Sequence, residues 1–352
     1  MRTSLWLAFA LILVLTPAPL SAGEDKEPQE IGGKTLEQWI KEIKSPDPAI
    51  CENAIRTVIL FGKKGAKAAP ALIDQLNHRD SSVKGNAAAS LGYLSAYLTS
   101  ADTERAIVRL ANRMTDGQSL MAFHSAMALY FFGNQARPVI PQLINASKDP
   151  LTWELRRAAT MALGVAGAPD GKFPQDVRAV MALVEASKDH CSVVRLEAVT
   201  GLGMCGQPAA EADKLAVLAA LEVRYKKDTD DSVRIWAHTS YMYVEGRFSE
   251  AQLSAIASFL KSPKMSSRAH AAKALGVIGK EAGAYTSKVI DLLEDKEPIA
   301  ALTAANALPN MGKNATEAIP VLTKLLEKKD LNESLRAIFT DCLKNIQSMK
   351  AK

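Results

Sequence analysis

Short apolar runs alternate with polar turns along most of the chain. In a frame of sixteen positions the runs recur nine times at intervals of 33 to 39 residues, with position 5 at Cys51, Lys84, Ala122, Arg156, Arg195, Arg234, Arg268, Ala301 and Arg336. Position 8 is alanine in seven of the nine repeats, and position 12 is leucine in seven. These two positions lie about 40° apart around a helix and form one apolar stripe. The pattern therefore predicts nine repeated helices.

A further apolar run precedes many of these helices, as in LEQWIKEI at residues 36–43 and IPVLTKLLE at residues 319–327. Glycine tolerates the left-handed conformation that ends many helices. It stands at position 16 in six repeats, at Gly62, Gly133, Gly167, Gly206, Gly279 and Gly312. The repeat unit is then a helical hairpin of about 36 residues. We expect an all-α fold of about nine hairpins stacked in one right-handed superhelix, without strands.

Three segments show the repeat most clearly: DSSVKGNAAASLG at residues 80–92, DSVRIWAHTSYM at 231–242 and SSRAHAAKALGVIG at 266–279. Prolines stand at the start of the preceding helices, at Pro70, Pro141 and Pro320. With these motifs the chain resembles HEAT-repeat proteins, in particular the short bacterial HEAT-like or phycobilisome-lyase-like type. The resemblance covers residues 35–348 and implies a HEAT or armadillo-type α-α superhelix. It implies almost nothing about the partner.

Residues 1–22 are predicted to be a signal peptide. A basic start at Arg2 precedes an apolar run of eleven residues at 5–15, and small residues surround cleavage after Ala22 or Gly23. Such a run spans about 16 Å as a helix, roughly half of a bilayer core, so a retained anchor is the weaker alternative. The predicted domains after it are a flexible linker at 23–33, one solenoid at 34–348 and a tail at 349–352.

The composition and the missing motifs argue against several classes of function. The chain has 43 Lys and Arg against 38 Asp and Glu, without a basic block, so nucleic acid is not an expected partner. Phosphate-binding loops, a Gly-x-Ser-x-Gly nucleophile and zinc-type cysteine spacing are absent from the sequence. We therefore expect a bacterial periplasmic or secreted protein that is not an enzyme, needs no cofactor or metal, and binds a protein or peptide. We expect no stable membrane insertion after signal cleavage, and the oligomeric state stays open.

The four cysteines are predicted to be unpaired. Cys191 and Cys205 lie near opposite ends of one predicted helix, about 21 Å apart. Cys51 and Cys342 belong to the first and last repeats. A disulfide requires Cα atoms within about 7 Å, so we expect four free and mostly buried thiols, although an exported protein could form disulfides.

Position 5 is basic in six repeats. In HEAT-repeat proteins the residue at position 5 pairs with an acid in an adjacent turn. Asp80, Asp230 and Asp231 lie where such acids would be expected. The resemblance therefore implies a structural ladder that includes Asp80, Lys84, Arg156, Arg195, Asp230, Arg234, Arg268 and Arg336. The alternative is a basic stripe that binds an acidic ligand.

Positions 7, 10 and 14 lie opposite the apolar stripe, and in HEAT solenoids the second helices line the concave side. Position 14 is nevertheless apolar in the first seven repeats, either for packing or for partner contact: Leu60, Tyr93, Phe131, Val165, Met204, Tyr243 and Val277. The sixth repeat carries aromatics where others use small residues, and aromatics often anchor interfaces. We expect an exposed Trp236 as the anchor of a site with Tyr243, Glu197, His270, Lys273, His124 and Tyr93.

The rival hypothesis is a lyase, or an enzyme that binds a metal or cofactor, built on HEAT-like repeats. It would use His238 and His270, which lie in adjacent repeats. His238 occupies position 9, which is apolar in other repeats, so a partly buried structural histidine is the plainer explanation. Some HEAT-like proteins attach bilins inside the cell, and the predicted export argues against that role.

Overall fold

The computed structural model describes residues 28–114 and 119–350. The predicted signal peptide and residues 23–27 of the predicted linker lie outside these ranges. Within them, eighteen α-helices follow one another as nine hairpins. The helices are α1 (Leu36–Glu42), α2 (Pro48–Val58), α3 (Ala69–Gln75), α4 (Ser81–Leu94), α5 (Ser100–Arg113), α6 (Ser119–Phe132), α7 (Ile140–Ala146), α8 (Trp153–Gly167), α9 (Val177–Ala186), α10 (Ser192–Cys205), α11 (Glu211–Lys227), α12 (Asp231–Glu245), α13 (Glu250–Ser258), α14 (Met265–Ile278), α15 (Thr286–Ile290), α16 (Pro298–Ala307), α17 (Ile319–Leu326) and α18 (Glu333–Lys350).

The repeat predicted from the sequence is confirmed. Each hairpin pairs an odd-numbered first helix with an even-numbered second helix and contacts mainly its neighbours. The alanines of position 8 and most leucines of position 12 are buried, as Ala87 and Leu91 show with 0% exposure each. The fold is an all-α solenoid whose core combines the apolar stripe of successive second helices with buried side chains of the first helices.

The helix ends follow local sequence signals. Aspartate side chains cap the N-termini of α2, α4, α9 and α12 by accepting from backbone N–H groups. Five of the six glycines at position 16 have a positive φ, between 57° and 80°. The sixth, Gly167, lies inside α8, which runs one residue further than the pattern predicted. At the other end of the chain, α18 extends to Lys350, into the segment predicted as a tail.

A short β-hairpin precedes α1, so the expectation of a fold without strands is wrong at this point. β1 (Glu30–Ile31) pairs antiparallel with β2 (Lys34–Thr35). Nε1 of Trp39 in α1 donates to the carbonyl of Ile31 at 3.0 Å, and Nζ of Lys34 lies 4.5 Å from the centroid of that indole ring. Part of the segment predicted as a flexible linker therefore has regular structure, and this hairpin covers a tryptophan of the first repeat.

The second helices pack against one another more extensively than the first helices do. Small residues permit this approach. A Cβ added to Gly203 of α10 would lie 2.5 Å from Oγ of Ser240 in α12, and one added to Gly276 of α14 would lie 2.6 Å from Cβ of Ala307 in α16. Closer spacing in one layer bends a row of hairpins toward that layer. The even-numbered helices are therefore on the inner side, and we call their exposed surface the inner face.

Arginines at position 5 link successive hairpins. Three of them donate two hydrogen bonds each to an aspartate of the next hairpin: Arg156 to Asp189 at 2.6 and 3.1 Å, Arg195 to Asp228 at 2.8 Å twice, and Arg268 to Asp295 at 2.6 and 2.7 Å. Burial is the largest influence and would raise the pKa of Asp228, but the hydrogen bonds from Arg195 and from the backbone of Asp230, together with the positive charges of Arg195 and Arg224, hold that pKa below its ordinary value. Bidentate pairs of this kind fix the orientation of neighbouring hairpins.

The acids of this ladder are not those expected from the resemblance. Asp80 and Asp230 cap α4 and α12, and their carboxylates accept from the backbone of Ser82 and Ser232. Their lone pairs are used locally, because the residue before a helix can reach the free N–H groups of its first turn. The paired aspartates stand earlier in the turn, as Asp228 does relative to Asp230.

Two further residues of the predicted ladder differ from the three paired arginines. Arg336 belongs to the last hairpin, where no next turn follows within the described residues, and it donates to the carbonyls of Leu326 and Lys328 at 2.6 Å each. Lys84 is buried, with 8% exposure. Its aliphatic stem is therefore part of the packed stack.

The ladder is interrupted at Arg234. The position equivalent to Asp228 in the next hairpin is Ser262, whose Oγ accepts from the backbone of Lys264. Arg234 instead donates to the carbonyl of Tyr225 at 3.4 Å, and its guanidinium carbon lies 5.1 Å from the ring centroid of Phe259. The apolar core is also divided at α12, which contributes side chains to both a larger N-terminal and a smaller C-terminal part. The joint between the sixth and seventh hairpins thus lacks the bidentate pair found at three other joints.

The four cysteines are free, as predicted, and all but Cys191 are buried. Burial raises the pKa of the Cys205 and Cys342 thiols to about 12. In residues 28–114 and 119–350, no helix combines the length and apolar character needed to cross a bilayer.

Candidate functional site

Trp236 is buried, and the expectation of an exposed indole on the inner face is wrong. It is 8% exposed and belongs to the apolar core. α12 lies close to α10 at Gly203, and side chains of α14 cover the ring: its Nε1 donates to Nδ1 of His270 at 2.9 Å, and Nζ of Lys273 lies 5.9 Å from a ring centroid. Trp236 is thus part of the floor of the inner face and does not protrude from it.

Glu197 of α10 extends this group of side chains toward α8. Nε of Arg157 donates to its Oε1 at 2.9 Å, and Nη2 of Arg157 lies 2.8 Å from the same oxygen as an ion pair. Burial raises the pKa of Glu197 although the charges of Arg157 and Lys273 oppose it, and burial lowers the pKa of Lys273 although Glu197 opposes it. These charges therefore lie in poorly hydrated surroundings. We call Arg157, Glu197, Trp236, His270 and Lys273 the inner cluster.

The hydrogen bond from Trp236 determines the tautomer of His270. An indole N–H can only donate, so Nδ1 of His270 accepts and the neutral ring carries its hydrogen on Nε2. Burial, and then the charge of Lys273, lower the pKa of His270, while Asp230 raises it by a smaller amount. At neutral pH the imidazole is therefore uncharged and has an N–H donor at Nε2.

The structure brings together only part of the predicted site. Glu197, Trp236, His270 and Lys273 meet in the inner cluster. His124 lies on α6 and packs against α4, since a Cβ added to Gly85 would be 2.9 Å from its Cδ2. Tyr93 and Tyr243 also stand apart from the cluster, at position 14.

Position 14 forms an apolar row along seven consecutive hairpins. Five of its side chains are exposed: Leu60 by 60%, Tyr93 by 42%, Met204 by 47%, Tyr243 by 36% and Val277 by 50%. Neighbours in the row also touch, because Tyr93 stacks on Phe131 with 5.7 Å between ring centroids and the Tyr243 hydroxyl donates to the Val277 carbonyl at 3.0 Å. The row therefore serves packing and still presents apolar surface. We call it the position-14 row.

Arg157 is the member of the inner cluster that the sequence pattern did not single out. It directly follows Arg156, a ladder residue, and takes position 6, one step around the helix from the ladder. The two arginines therefore point to different sides of α8, and only the first pairs with the next turn. The sequence signal that could have identified Arg157 is the pair of adjacent arginines at positions 5 and 6, which occurs in this repeat alone.

His238 and His270 face different surroundings. His238 is buried, stacks on Tyr225 of α11 with 4.4 Å between ring centroids, and hydrogen-bonds through Nδ1 to Gln252 of α13. It thus packs between first and second helices, while His270 contacts Trp236 on the inner side. In the described ranges, no group of three or more His, Cys, Asp or Glu side chains is arranged to hold a metal ion.

Successive helical hairpins, a shared apolar stripe and an inner layer of second helices define an α-solenoid repeat protein. The sequence model of the family described as HEAT repeats matches residues 69–164 and 140–241, two overlapping stretches. The chain is a HEAT-repeat protein. A comparison with curated proteins gave no match.

Solved structures include similar chains. An engineered protein is 21% identical, with 90% of this chain and 89% of that chain covered and a TM-score of 0.47. The complex of CpcE and CpcF of phycocyanin lyase from Nostoc sp. PCC7120 is 16% identical, with 92% of this chain and 98% of that chain covered and a TM-score of 0.48.

Proposed function

We propose that this protein is a non-enzymatic scaffold that binds a protein or peptide segment along its inner face. The position-14 row carries the proposal, since it exposes one large apolar side chain on most of seven successive hairpins. Extended apolar surface on a water-exposed protein usually marks an interaction site. The N-terminal sequence, with its basic start, apolar run and small residues, supports export to the periplasm or cell envelope of a bacterium.

The row suits an elongated ligand. Packed helices are about 8 to 10 Å apart, and an extended peptide advances about 3.3 Å per residue. Every third residue of such a peptide would therefore meet the next hairpin. Methionines at position 10, Met127 and Met161, are half-buried beside the row, and their flexible thioethers can adapt to different apolar side chains.

Site-specific photo-crosslinking tests the proposal. A photoreactive residue is placed at Met204 or Val277 in the position-14 row, and at Leu215 or Val223 of α11 as exposed controls. The cells should yield the same discrete crosslinked species from both row positions and not from the controls. Equal labelling at all four positions, or no adduct at the row, would contradict binding on the inner face.

The proposal includes the absence of catalytic metal. Metal analysis of the purified protein should find no stoichiometric metal. A bound metal at one equivalent would instead favour the lyase or cofactor-dependent alternative. Fractionation of the source cells, with the protein found in the envelope or periplasmic fraction, tests the proposed location.

A further inference from the structure

We infer that a second copy of this chain docks on the outer side of α11, with the two α11 helices antiparallel across a two-fold axis at Ala219. α11 is the longest first helix in residues 28–114 and 119–350. Its outer side lies opposite the inner face of the solenoid, so this contact is separate from the site proposed for the bound segment.

α11 is apolar on two sides. Val217 and Leu221 are buried in the core, with 1% and 0% exposure. The opposite side consists of five exposed residues within about 40° of Ala219 around the helix. We call these residues the outer stripe: Ala212, Leu215, Ala219, Val223 and Lys226. Leu215 is 57% exposed and Val223 is 41% exposed. A surface helix ordinarily turns a polar side to water, so a second apolar stripe indicates a partner.

Another long first helix, α5, shows the ordinary arrangement. Its outward side places Glu104, Arg105 and Arg109 around Val108. The apolar outer side is therefore a property of α11 and not of first helices in general. On the preceding hairpin, Met181 of α9 is 39% exposed and continues the apolar surface beside α11.

The outer stripe is symmetric about its centre. Ala219 is the middle residue of α11, and Leu215 and Val223 lie four residues on either side of it. In a two-fold dimer the same patch serves both copies. Antiparallel helices that cross at Ala219 therefore bring Leu215 of each copy beside Val223 of the other. The small side chain of Ala219 allows the helix axes to approach to about 8 Å.

The charges at the ends of α11 favour the antiparallel direction. The first turn is acidic and the last turn is basic, with Glu211 and Asp213 against Arg224, Lys226 and Lys227. Antiparallel packing places the acidic end of each helix beside the basic end of the other, whereas parallel packing places like charges together. Arg224 and Lys226 also pair with Asp228 and Glu222 of their own chain. We therefore expect these charges to determine direction more than affinity.

Sedimentation equilibrium of the mature chain tests the association. One helix pair buries less surface than a permanent dimer does, so the average mass should rise reversibly with concentration toward that of two chains. Leu215→Glu should raise the dissociation constant about tenfold or more, because the substitution enters the interface twice. Val108→Glu, at a comparably exposed position of α5, is the matched control and should leave the association unchanged. A single-chain mass at every concentration, or equal losses in both variants, would overturn the inference.

Cysteine cross-linking tests the direction of the helices. In a Cys191→Ser background the remaining native thiols are buried. Ala219→Cys should then form a disulfide-linked dimer under mild oxidation. Leu215→Cys alone should not, because its two copies would lie about 12 Å apart along the helices, beyond the reach of a disulfide. A mixture of Leu215→Cys and Val223→Cys chains should cross-link. A dimer linked through Leu215→Cys alone would contradict the antiparallel arrangement.

The same crosslinking probes separate this contact from the proposed function. A photoreactive residue at Leu215 or Val223 should give an adduct of two identical chains, which differs from the species expected at the position-14 row. Leu215→Glu should abolish the two-chain adduct and leave the adduct at Met204 unchanged. An adduct at Leu215 that contains a different protein, without the two-chain species, would contradict a second copy as the partner.

Discussion

Trp236 fills the space where α10, α12 and α14 meet, with its ring in the core and its N–H bonded to His270. In most repeats position 7 carries a polar or small residue, such as Asn53 or Asn86. At the residue scale, then, a single large side chain joins three helices that elsewhere meet mainly through alanine and leucine.

Replacing Trp236 by alanine should lower the free energy of unfolding by about 3 to 5 kcal/mol, because a buried indole is lost and a cavity remains. Chemical denaturation measures the change. Trp153→Ala is the matched control, since that indole is 41% exposed, and it should cost clearly less than Trp236→Ala because less apolar surface is lost from the core. Similar small losses for both variants would contradict the burial of Trp236.

The burial of Trp236 could not be predicted from its position in the repeat. Position 7 faces away from the apolar stripe, but its exposure depends on the distance to the next helix and on the side chains there. Gly203 allows α12 to approach α10, and His270 and Lys273 of α14 are long enough to cover the ring. These contacts join residues 34 to 37 positions apart, which a pattern within one helix does not reveal.

At the scale of elements, the hairpins are held in register by the stripe and by the arginine ladder. The stripe could be predicted because alanine and leucine recur at fixed positions within one helix. The acids of the ladder could not, because the turns vary: Arg156 and Arg195 lie 33 residues from their partners, while Arg268 lies 27 residues from Asp295. Asp80 and Asp230 occupied the expected places and are helix caps.

Asp228→Asn should destabilise the fold by about 3 kcal/mol at neutral pH, since it leaves a buried Arg195 without its carboxylate. Asparagine can still accept from the backbone of Asp230, so the turn itself is preserved. The pKa of Asp228 is depressed in the folded state. Its contribution is therefore present above the unfolded value of about 3.9 and is lost as pH falls through the folded value.

Denaturation curves of the wild type and Asp228→Asn between neutral pH and about pH 2 check the direction of this effect. The difference in unfolding free energy should be largest at neutral pH and should shrink below about pH 4. A difference that stays constant over this range would show that the loss has another cause.

Ser262→Asp should complete the ladder at its interruption. Aspartate can keep the hydrogen bond to the backbone of Lys264 and can also face Arg234. Because the Arg234 side chain is 38% exposed, we expect a gain of only about 0.5 to 1 kcal/mol. The same substitution in an Arg234→Met background is the control, and an equal gain there would rule out the ion pair as its cause.

At the scale of the whole molecule, the solenoid has a discontinuity between the sixth and seventh hairpins. The core divides there and the ladder is interrupted. Stability in such arrays is approximately a sum over repeats and the interfaces between them. We therefore expect α13 to α18 to unfold at lower urea concentration than α1 to α12.

Hydrogen exchange in increasing urea measures this separation directly. Amides of α14 and α16 should lose protection before those of α4 and α8. Ser262→Asp should bring the two transitions closer together, whereas Asp228→Asn should weaken the N-terminal part. A single transition with equal protection throughout the described helices would contradict a division at α12.

The β-hairpin over Trp39 covers part of one end of the solenoid, and the last helix plays a similar part at the other end. The last helix, α18, turns outward the polar residues Glu333, Asp341, Lys344, Asn345 and Gln347, while Phe339 and Ile346 face inward. A stack of identical units could otherwise add further copies at either end, as open-ended filaments do. In the described part of the chain, the β-hairpin over Trp39 and the polar outward side of α18 each reduce the apolar surface at one end of the stack, so growth by end-to-end addition is disfavoured.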